Sequence, residues 1–446
     1  MQQRYLIVLF WFIGFLQSFA ALAVLPQTIN NLIYFENQAN PAFQGQTRST
    51  NKINIKHYEI PLSEAKSLIS AETPPALLQS MVFEKKGQKY IRWIIHPDEE
   101  DGSKTNWLKR QKNPPTAYSQ IELWLKSKNL DSKKYSYFEG YKTASRSLIL
   151  HDPKSQALFS AKVSTRYLHG QYLEHSNKQQ TWADAQREFA TYNYIKKRLS
   201  KFQSKYLKVL DEPLHFGLSA TDQAISLRNL DESATGTKNY IPAFSIFDEK
   251  LGPRLAELNG YQNPSDFALL YFEHLGKAVA ELAFYTGLTS DSMHLQNFLW
   301  ETDLNYKLTG RVVFRDVGDS YLWKPYFEKL KETDLMRIGH DQLQENLKLF
   351  HYNIFNFNMK WPSWLNMDQM FSNSNGSGHW IDRWLDSFEK TFSTLSGIPL
   401  ENIKTPDIRH NDNLQYYFKN IENETVEIIF DRMQNNNQVL FCSQIF

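Results

Sequence analysis

Lys162 stands in Ala157-Leu158-Phe159-Ser160-Ala161-Lys162-Val163, where strand alternation sends Phe159, Ala161 and Val163 to one side and Ser160, Lys162 and Ser164 to the other. An ammonium on such a polar face is either solvated or, in a cleft, a point charge for phosphate. Glu188, in Gln186-Arg187-Glu188-Phe189, follows on a helical stretch. It is either an ordinary surface acid or the helix carboxylate that partners a strand lysine at a phosphoryl-transfer site. Farther on, Ser292-Met293-His294-Leu295-Gln296-Asn297 and Arg315-Asp316-Val317-Gly318-Asp319 flank one expected hairpin. Asn297 and Asp316, at its two ends, offer hard oxygen donors that can converge on a metal, and Mg²⁺ bridging phosphates takes oxygen ligands. The structural alternative is a polar turn with a satisfied His294.

The elements that must position these residues are legible in outline. Ser147 to His151 and Leu158 to Tyr167 read as strands joined by the turn Asp152-Pro153-Lys154-Ser155, and Ala224 to Arg228 and Tyr240 to Phe247 as further strands. A helix is expected from Trp182 to Phe202. Asn263 as N-cap, Pro264 at the first helical position and an apolar stripe of Phe267, Leu270, Leu275, Val279 and Leu282 that stops at Gly287 predict a second, longer helix. Phe298 to Glu301 and Arg311 to Arg315 form the hairpin. Helices are expected over Asp334 to Phe357 and His379 to Leu395, and a closing hairpin pairs Val426 to Asp431 with Val439 to Phe446.

Composition narrows the classes. The 446 residues are 41% hydrophobic and 14% aromatic, enough apolar surface to offset chain entropy, so the chain is no disordered protein. With 50 Lys and Arg against 48 Asp and Glu, a net charge of +2 gives no global field toward nucleic acid or an anionic membrane. The single cysteine, Cys442, excludes an intrachain disulfide and a cysteine-based zinc site. No Walker A loop, GxGxxG, HExxH, GxSxG or EF-hand loop is present.

The first residues read as an address. Arg4, an apolar run from Tyr5 to Leu16 and Ala21-Leu22-Ala23 follow the order of a cleaved secretory signal over residues 1–23. Cleavage near Val24 lowers the net charge from +2 to +1 and predicts a periplasmic or secreted protein with no membrane span.

Thr143-Ala144-Ser145-Arg146-Ser147, Lys162, Ala224-Ile225-Ser226-Leu227-Arg228, Tyr285-Thr286-Gly287, His294-Leu295-Gln296-Asn297 and Arg315-Asp316 occur in one order. That order and spacing resemble the nonribosomal-peptide-independent siderophore synthetases of the aerobactin synthetase (IucA/IucC) type, over roughly Phe138 to Asp319. The resemblance implies a kinase-like ATP site and adenylation of a carboxylate before an amine displaces AMP. It also implies that Ser145, Arg146 and Ser147 hold ATP phosphates, that Lys162 binds near the α-phosphate, and that His294, Asn297 and Asp316 serve nucleotide and Mg²⁺. Three features depart from the family. The acidic residue two before the histidine is Ser292, with Asp291 beside it. The second arginine after the strand lysine has only Arg166 as a stand-in, and the His/Pro-rich N-terminal signature is not recognisable.

The expected fold is α+β, kinase-like and two-lobed: a small region at 24–135, a β-rich nucleotide-binding lobe at 136–248 and a helical lobe at 249–446. The expected activity is that of an exported ATP- and Mg²⁺-dependent transferase or ligase on a small-molecule or protein acceptor. The alternatives are a non-catalytic binding module of the same fold and a carboxylate-adenylating ligase.

Overall fold

The computed structural model describes residues 32–38, 51–97, 117–143, 146–164, 180–230, 238–290, 295–332, 335–336, 343–345, 347–350, 361–370, 379–403, 416–417 and 426–433. The expected leader at 1–23, Ser145, Arg166, Asp291, Ser292, His294 and the final expected strand at 439–446 lie outside these residues.

Ten strands come first: β1 (Ile53–Pro61), β2 (Lys66–Ile69), β3 (Val82–Lys85), β4 (Gln88–Ile94), β5 (Lys134–Lys142), β6 (Ser147–His151), β7 (Leu158–Lys162), β8 (Leu207–Val209), β9 (Leu214–Leu218) and β10 (Gln223–Asn229). All but β8 join one nine-stranded sheet in the order β2-β9-β10-β7-β6-β5-β1-β4-β3. Every pairing in it is antiparallel. The residues before 136 are therefore not a separate small region. They supply β1 to β4 of this sheet, and the boundary expected at 135 falls inside β5, because the pairing of β1 with β5 needs both sides of it.

Register sorts the sheet into two faces. Leu148, Ala161, Leu227 and Leu214 are successive cross-strand neighbours. All four are buried in a core that also takes Leu77 and Met81 of α1 (Pro75–Met81) and Ile121 and Leu125 of α2 (Ala117–Ser127). One residue along, Ser147, Lys162, Ser226 and His215 form the neighbouring row, on the opposite face. Helix α3 (Trp182–Leu199) packs on β9 and β10. Thr181 caps it with a reciprocal Thr181–Asp184 box, and Trp182 sits so close to Gly217 that a Cβ there would lie 2.1 Å from its ring.

Beyond Lys238, short strands and helices alternate. β11 (Lys238–Pro242) leads to α4 (Leu251–Leu258) and α5 (Pro264–Thr286), followed by β12 (Leu288–Ser290), β13 (Phe298–Asp303), β14 (Leu308–Phe314), β15 (Ser320–Trp323), α6 (Lys324–Leu330) and α7 (His379–Ser396). A second sheet runs β11-β13-β14-β8, with β8 parallel to β14. Helix α5 starts and stops where its caps predict: the Asn263 side chain accepts from Ser265 N–H at 3.0 Å, and Gly287 ends it at φ +67°, its N–H bonded to Ala283 O. Burial of α5 exceeds the single expected stripe. Gly276, Ala278, Ala280 and Ala283 let neighbours approach other sides of the helix, and a Cβ on Gly276 would lie 2.2 Å from Trp384 O of α7.

Three expected elements differ. The strand beginning near Tyr240 ends at Pro242, and Ala243–Phe247 coils as a 3₁₀ helix buried on every side, a run without the alternation a strand face imposes. Within the helix expected over 334–357, Leu343–Gln344 and Lys348–Phe350 are strands, held by cross-strand pairing with β15 and with Tyr416–Tyr417, which overrides local propensity. Residues 426–433 are helical rather than one arm of a hairpin. Val426, Ile429 and Met433 recur at spacings of three and four and bury against the α5 core, while Ile428 stays exposed.

Candidate functional site

Four elements converge on Lys162. β7 presents it, β10 presents Ser226 directly beside it, α3 lays Glu188 over this face, and the chain after β14 brings Asp316. Lys162 is 6% exposed, which excludes the solvated strand lysine. Its Nζ donates to Glu188 Oε1 at 2.5 Å and to Asp316 Oδ1. Glu188 Oε2 accepts from Ser226 Oγ at 2.6 Å and from Gln180 Nε2 at 3.0 Å. Glu188 is thus a buried partner of the lysine and not a surface acid.

A second pair supports the first. Arg228, two residues along β10 from Ser226 and on the same face, donates from Nε to Glu212 Oε1 at 2.5 Å. The same oxygen accepts from Asp316 N–H at 3.4 Å, and Arg228 Nη2 lies 3.5 Å from Asp316 Oδ1. Burial pushes the Asp316 carboxyl up, but the charges of Lys162 and Arg228 overcome it and hold the group well below the usual carboxylate range. Burial likewise opposes the Lys162 charge, and Asp316 and Glu188 more than restore it, so its pKa rises. Glu212 moves the other way: burial and the neighbouring Glu188 and Asp316 charges outweigh Arg228 and raise it. Burial takes His215, bonded to Ser226 Oγ at 2.9 Å, down to about 4.

The hairpin performs as its residues suggest. Phe298 pairs with Phe314, and Arg315 N–H donates to Asn297 O at 3.0 Å, so Asn297 and Asp316 flank the same hairpin end. Asn297 is buried, whereas the Asp316 side chain keeps a quarter of its surface exposed. Asp316 adopts φ +62°, a left-handed conformation costly for a residue with a Cβ. Gly318 follows with no room for a side chain, since a Cβ there would lie 2.6 Å from Glu188 Cγ. Arg187 fastens this loop to α3 through Gly318 O at 3.1 Å and Asp319 at 3.3 Å.

Arg146 and Ser147 sit at the near end of β6. Ser147 is the cross-strand neighbour of Lys162, and Arg146 is close enough for its charge to act on both Lys162 and Asp316. Thr143 closes the short connection by bonding Ser147 O at 2.7 Å. Lys162, Glu188, Asn297, Asp316, Arg146 and Ser147 are therefore gathered into one neighbourhood, while Ser145 and His294 lie outside the described residues. Among the described residues, no group of three or more His, Cys, Asp or Glu is placed to hold a metal.

Sequence reasoning gave no part to Gln180, Glu212 and His215, and it quoted Ser226 and Arg228 without a role. For the last two, alternation in Ala224 to Arg228 carried the signal, since Ser226 and Arg228 must share a face. Glu212 and Gln180 come from loops, where no period exists to find them. Among the described residues, buried Gln180 Oε1 and Glu212 Oε2 have no hydrogen-bond partner, and Arg228 Nη2 has only its ion pair with Asp316. Gln180 is bonded to Glu188, and Glu212 to Arg228 and the Asp316 N–H, so this unused capacity borders the cluster and leaves it room for further polar partners.

The fold is similar to that of the petrobactin biosynthesis protein AsbB from Bacillus anthracis str. Sterne, with a TM-score of 0.55 at 13% identity over 91% of this chain and 76% of that one. It therefore shares the architecture of that protein. Two further structures match, both from a hypervirulent pathotype of Klebsiella pneumoniae. ATP-bound aerobactin synthetase IucA has a TM-score of 0.44 at 13% identity, with 67% of this chain and 54% of that one covered. Aerobactin synthetase IucC has 0.46 at 11%, with 92% and 72% covered. This chain thus spans about half the length of IucA. No protein-family model matches the chain, and no curated protein matches it.

Proposed function

We propose that this protein is an ATP- and Mg²⁺-dependent ligase or transferase with a kinase-like, two-lobed site, in which the nine-stranded sheet supplies Lys162 and the part built around α5 supplies Asn297 and Asp316. The observation that carries this reading is the burial of Lys162 between a helix carboxylate and a carboxylate that follows a hairpin. A buried ion cluster is weak support for stability, because replacing it by apolar side chains is often neutral or stabilising. Such a cluster beside a partly exposed carboxylate is therefore better accounted for by chemistry.

The donor set fits the nucleotide and its metal. Asp316, still partly exposed, and the amide of Asn297 are hard oxygen ligands for Mg²⁺, and Lys162, Arg146 and Arg228 are cations for phosphate. When bound, Mg²⁺ neutralises phosphate charge that develops during transfer. The chain's own residues do the positioning. Glu188 fixes the Lys162 ammonium, Ser226 and Gln180 fix Glu188, and Glu212 fixes both Arg228 and the Asp316 backbone. By the resemblance of the sequence motifs, the chemistry is adenylation of a carboxylate followed by displacement of AMP by an amine, with a small-molecule or protein acceptor. Export behind residues 1–23 is part of the same proposal and is tested by the mass of the protein from its native host.

One observation favours a second reading, a binding module without turnover. Asp316 is already neutralised by Lys162 and Arg228, and Ser292 stands where the family has an acid. One experiment separates the two. ATP at a hundredfold excess over its dissociation constant should stabilise the full chain by about 2.7 kcal/mol, and only with Mg²⁺. Asp316→Asn should lose the Mg²⁺ dependence and about two orders of magnitude of turnover. The binding module would recognise a small carboxylate or a protein instead, so no ATP consumption with any acceptor tried, together with no effect of Asp316→Asn on nucleotide affinity or on stability with Mg²⁺, sinks the enzyme and leaves the binding module.

A further inference from the structure

The segment Leu32 to Gln38 is not part of any sheet, yet Leu32, Ile33, Phe35 and Glu36 are buried. Leu32 and Ile33 are buried in a small core with Ile149 and Leu158 of the large sheet and Leu299 and Val313 of the second sheet. Phe35 enters the core around α5 instead, edge-on to Tyr306, and its carbonyl accepts from Ser245 Oγ at 3.0 Å. One turn of π-helix, Tyr34–Gln38, carries Phe35 and turns Glu36 inward, where it is 5% exposed. Its carboxylate takes Arg315 with both oxygens, one from Nη1 and the other from Nη2 at 3.4 Å.

Arg315 is the residue before Asp316. Its remaining donor, Nε, bonds Gln296 O at 2.7 Å, next to Asn297, and its backbone N–H bonds Asn297 O. One guanidinium thus joins the N-terminal segment to both ends of the hairpin that present the candidate metal ligands. A planar fork matched to a carboxylate fixes orientation as well as distance. The backbone of Asp316 stands in a left-handed conformation that costs energy, so it persists only if its surroundings hold it. Glu212 holds it from one side, and Arg315, one residue earlier, is held from the other.

We infer that Glu36 is a positioning residue for Asn297 and Asp316, acting through Arg315, and that residues 32–38 form a strap on which the geometry of the candidate site depends. This rests on the proposed function for what the site binds, but the coupling itself is testable without any ligand. It also sets a limit on processing, since a chain cut beyond Glu36 would lose the strap.

The test uses the full chain and Glu36→Gln, which keeps shape and hydrogen-bonding capacity while removing the charge. Leu77→Ala, on α1 at the other face of the large sheet, serves as a variant that destabilises without touching the strap. Backbone amide exchange is followed without nucleotide at Arg315 and Asp316. Glu36→Gln should raise exchange at both at least tenfold relative to other amides of β13 and β14, and Leu77→Ala should not. In the presence of ATP, the Mg²⁺ concentration giving half of the thermal stabilisation should rise at least threefold in Glu36→Gln only. Unchanged exchange at Arg315 and Asp316 overturns the strap, and raised exchange with an unchanged Mg²⁺ requirement overturns its role at the site. If the wild-type chain does not respond to ATP, the nucleotide reading fails while the exchange result still decides whether Glu36 orders Asp316.

Discussion

Two buried carboxylates of this molecule are about equally removed from water and differ in every other respect. Glu281, on α5, accepts from Ser204 Oγ at 2.7 Å and from the backbone N–H groups of Lys205, Tyr206 and Leu207 at 2.9, 2.8 and 2.9 Å. Both of its oxygens are in use, and the chain entering β8 is tied to the central helix by that one side chain. Glu212, 1% exposed, shares a single oxygen between Arg228 and the Asp316 backbone, and its other oxygen has no partner among the described residues. Satisfied buried polar groups hold a fold in one arrangement, and an incomplete one leaves capacity for a further partner. By this criterion Glu281 is scaffold and Glu212 belongs to a site, although both are buried acids in sequences without a motif.

The comparison is most exposed at Glu281. Glu281→Ala strips one hydroxyl and three backbone N–H groups of their acceptor at once, and should cost about 4 kcal/mol, since hydrogen bonds to charged groups contribute about 1.5–3 kcal/mol each and do not add fully. Denaturant unfolding reads this directly. The Mg²⁺ dependence of ATP stabilisation should not change in the folded fraction. A loss below about 1 kcal/mol would show that the four contacts are not what fixes the entry to β8.

The next effect is set by pH. His215 is held neutral by burial, with its pKa down at about 4 against an ordinary value of 6.5. The unfolded chain therefore binds a proton between these values and the folded chain does not. Stability contributed this way is complete above about pH 6.5 and is lost as pH falls toward 4, amounting to about 3 kcal/mol in all. His57 and His274, lowered mainly by burial to about 3 and about 4, act with the same sign. Unfolding at pH 7 and pH 4.5 should thus show a large loss in the wild type and a smaller one in His215→Gln. Equal losses would mean that His215 is not the buried neutral base its contacts with Ser226 and Glu212 O describe.

How much of this was legible follows from periodicity. Lys162 and its polar face, the cap at Asn263, the stop at Gly287 and the hairpin carrying Asn297 and Asp316 rest on alternation or on capping chemistry, both of which are local. The part played by residues before 136 was not legible, because membership in the nine-stranded sheet is decided by strands far away in sequence: β1 pairs with β5 and β2 with β9. Glu36 and Glu212 escaped for the same reason. Each lies in a segment without a period, and its importance comes from Arg315 or Arg228, which only the folded chain brings near. Residues 426–433 misled because Val426, Ile428 and Ile429 fit a strand as readily as a helix, and burial of Val426, Ile429 and Met433 decided between them.

A smaller effect probes how tightly the site is seated. Gly318→Ala places a methyl 2.6 Å from Glu188 Cγ and 3.2 Å from its Cα, against a side chain pinned by Lys162, Ser226 and Gln180. Overpacking of this kind costs about 2 kcal/mol. Unlike Glu281→Ala, it should also weaken ATP binding, because the relief available is to push Glu188 away from Lys162. A variant that loses stability but binds nucleotide as the wild type does would separate the loop after Asp316 from the site.

The smallest effect is the one that discriminates best between the two carboxylates. Glu281→Gln puts an amide N–H₂ where an oxygen now accepts, whichever way the amide is turned, because both oxygens are in use. Donor would face donor at a buried position, so the loss should approach that of Glu281→Ala. Glu212→Gln has an escape. The amide nitrogen can occupy the position of the unpartnered Oε2, while the amide oxygen keeps Arg228 Nε and the Asp316 N–H. The cost is then the weaker bond from Arg228 to a neutral acceptor, offset by relief of repulsion from Glu188 and Asp316, which already push the Glu212 pKa upward. About 1 kcal/mol is expected for Glu212→Gln against about 3 kcal/mol for Glu281→Gln. Equal losses would remove the distinction between a completed and an incomplete carboxylate, and with it the ground for placing Glu212 in the site.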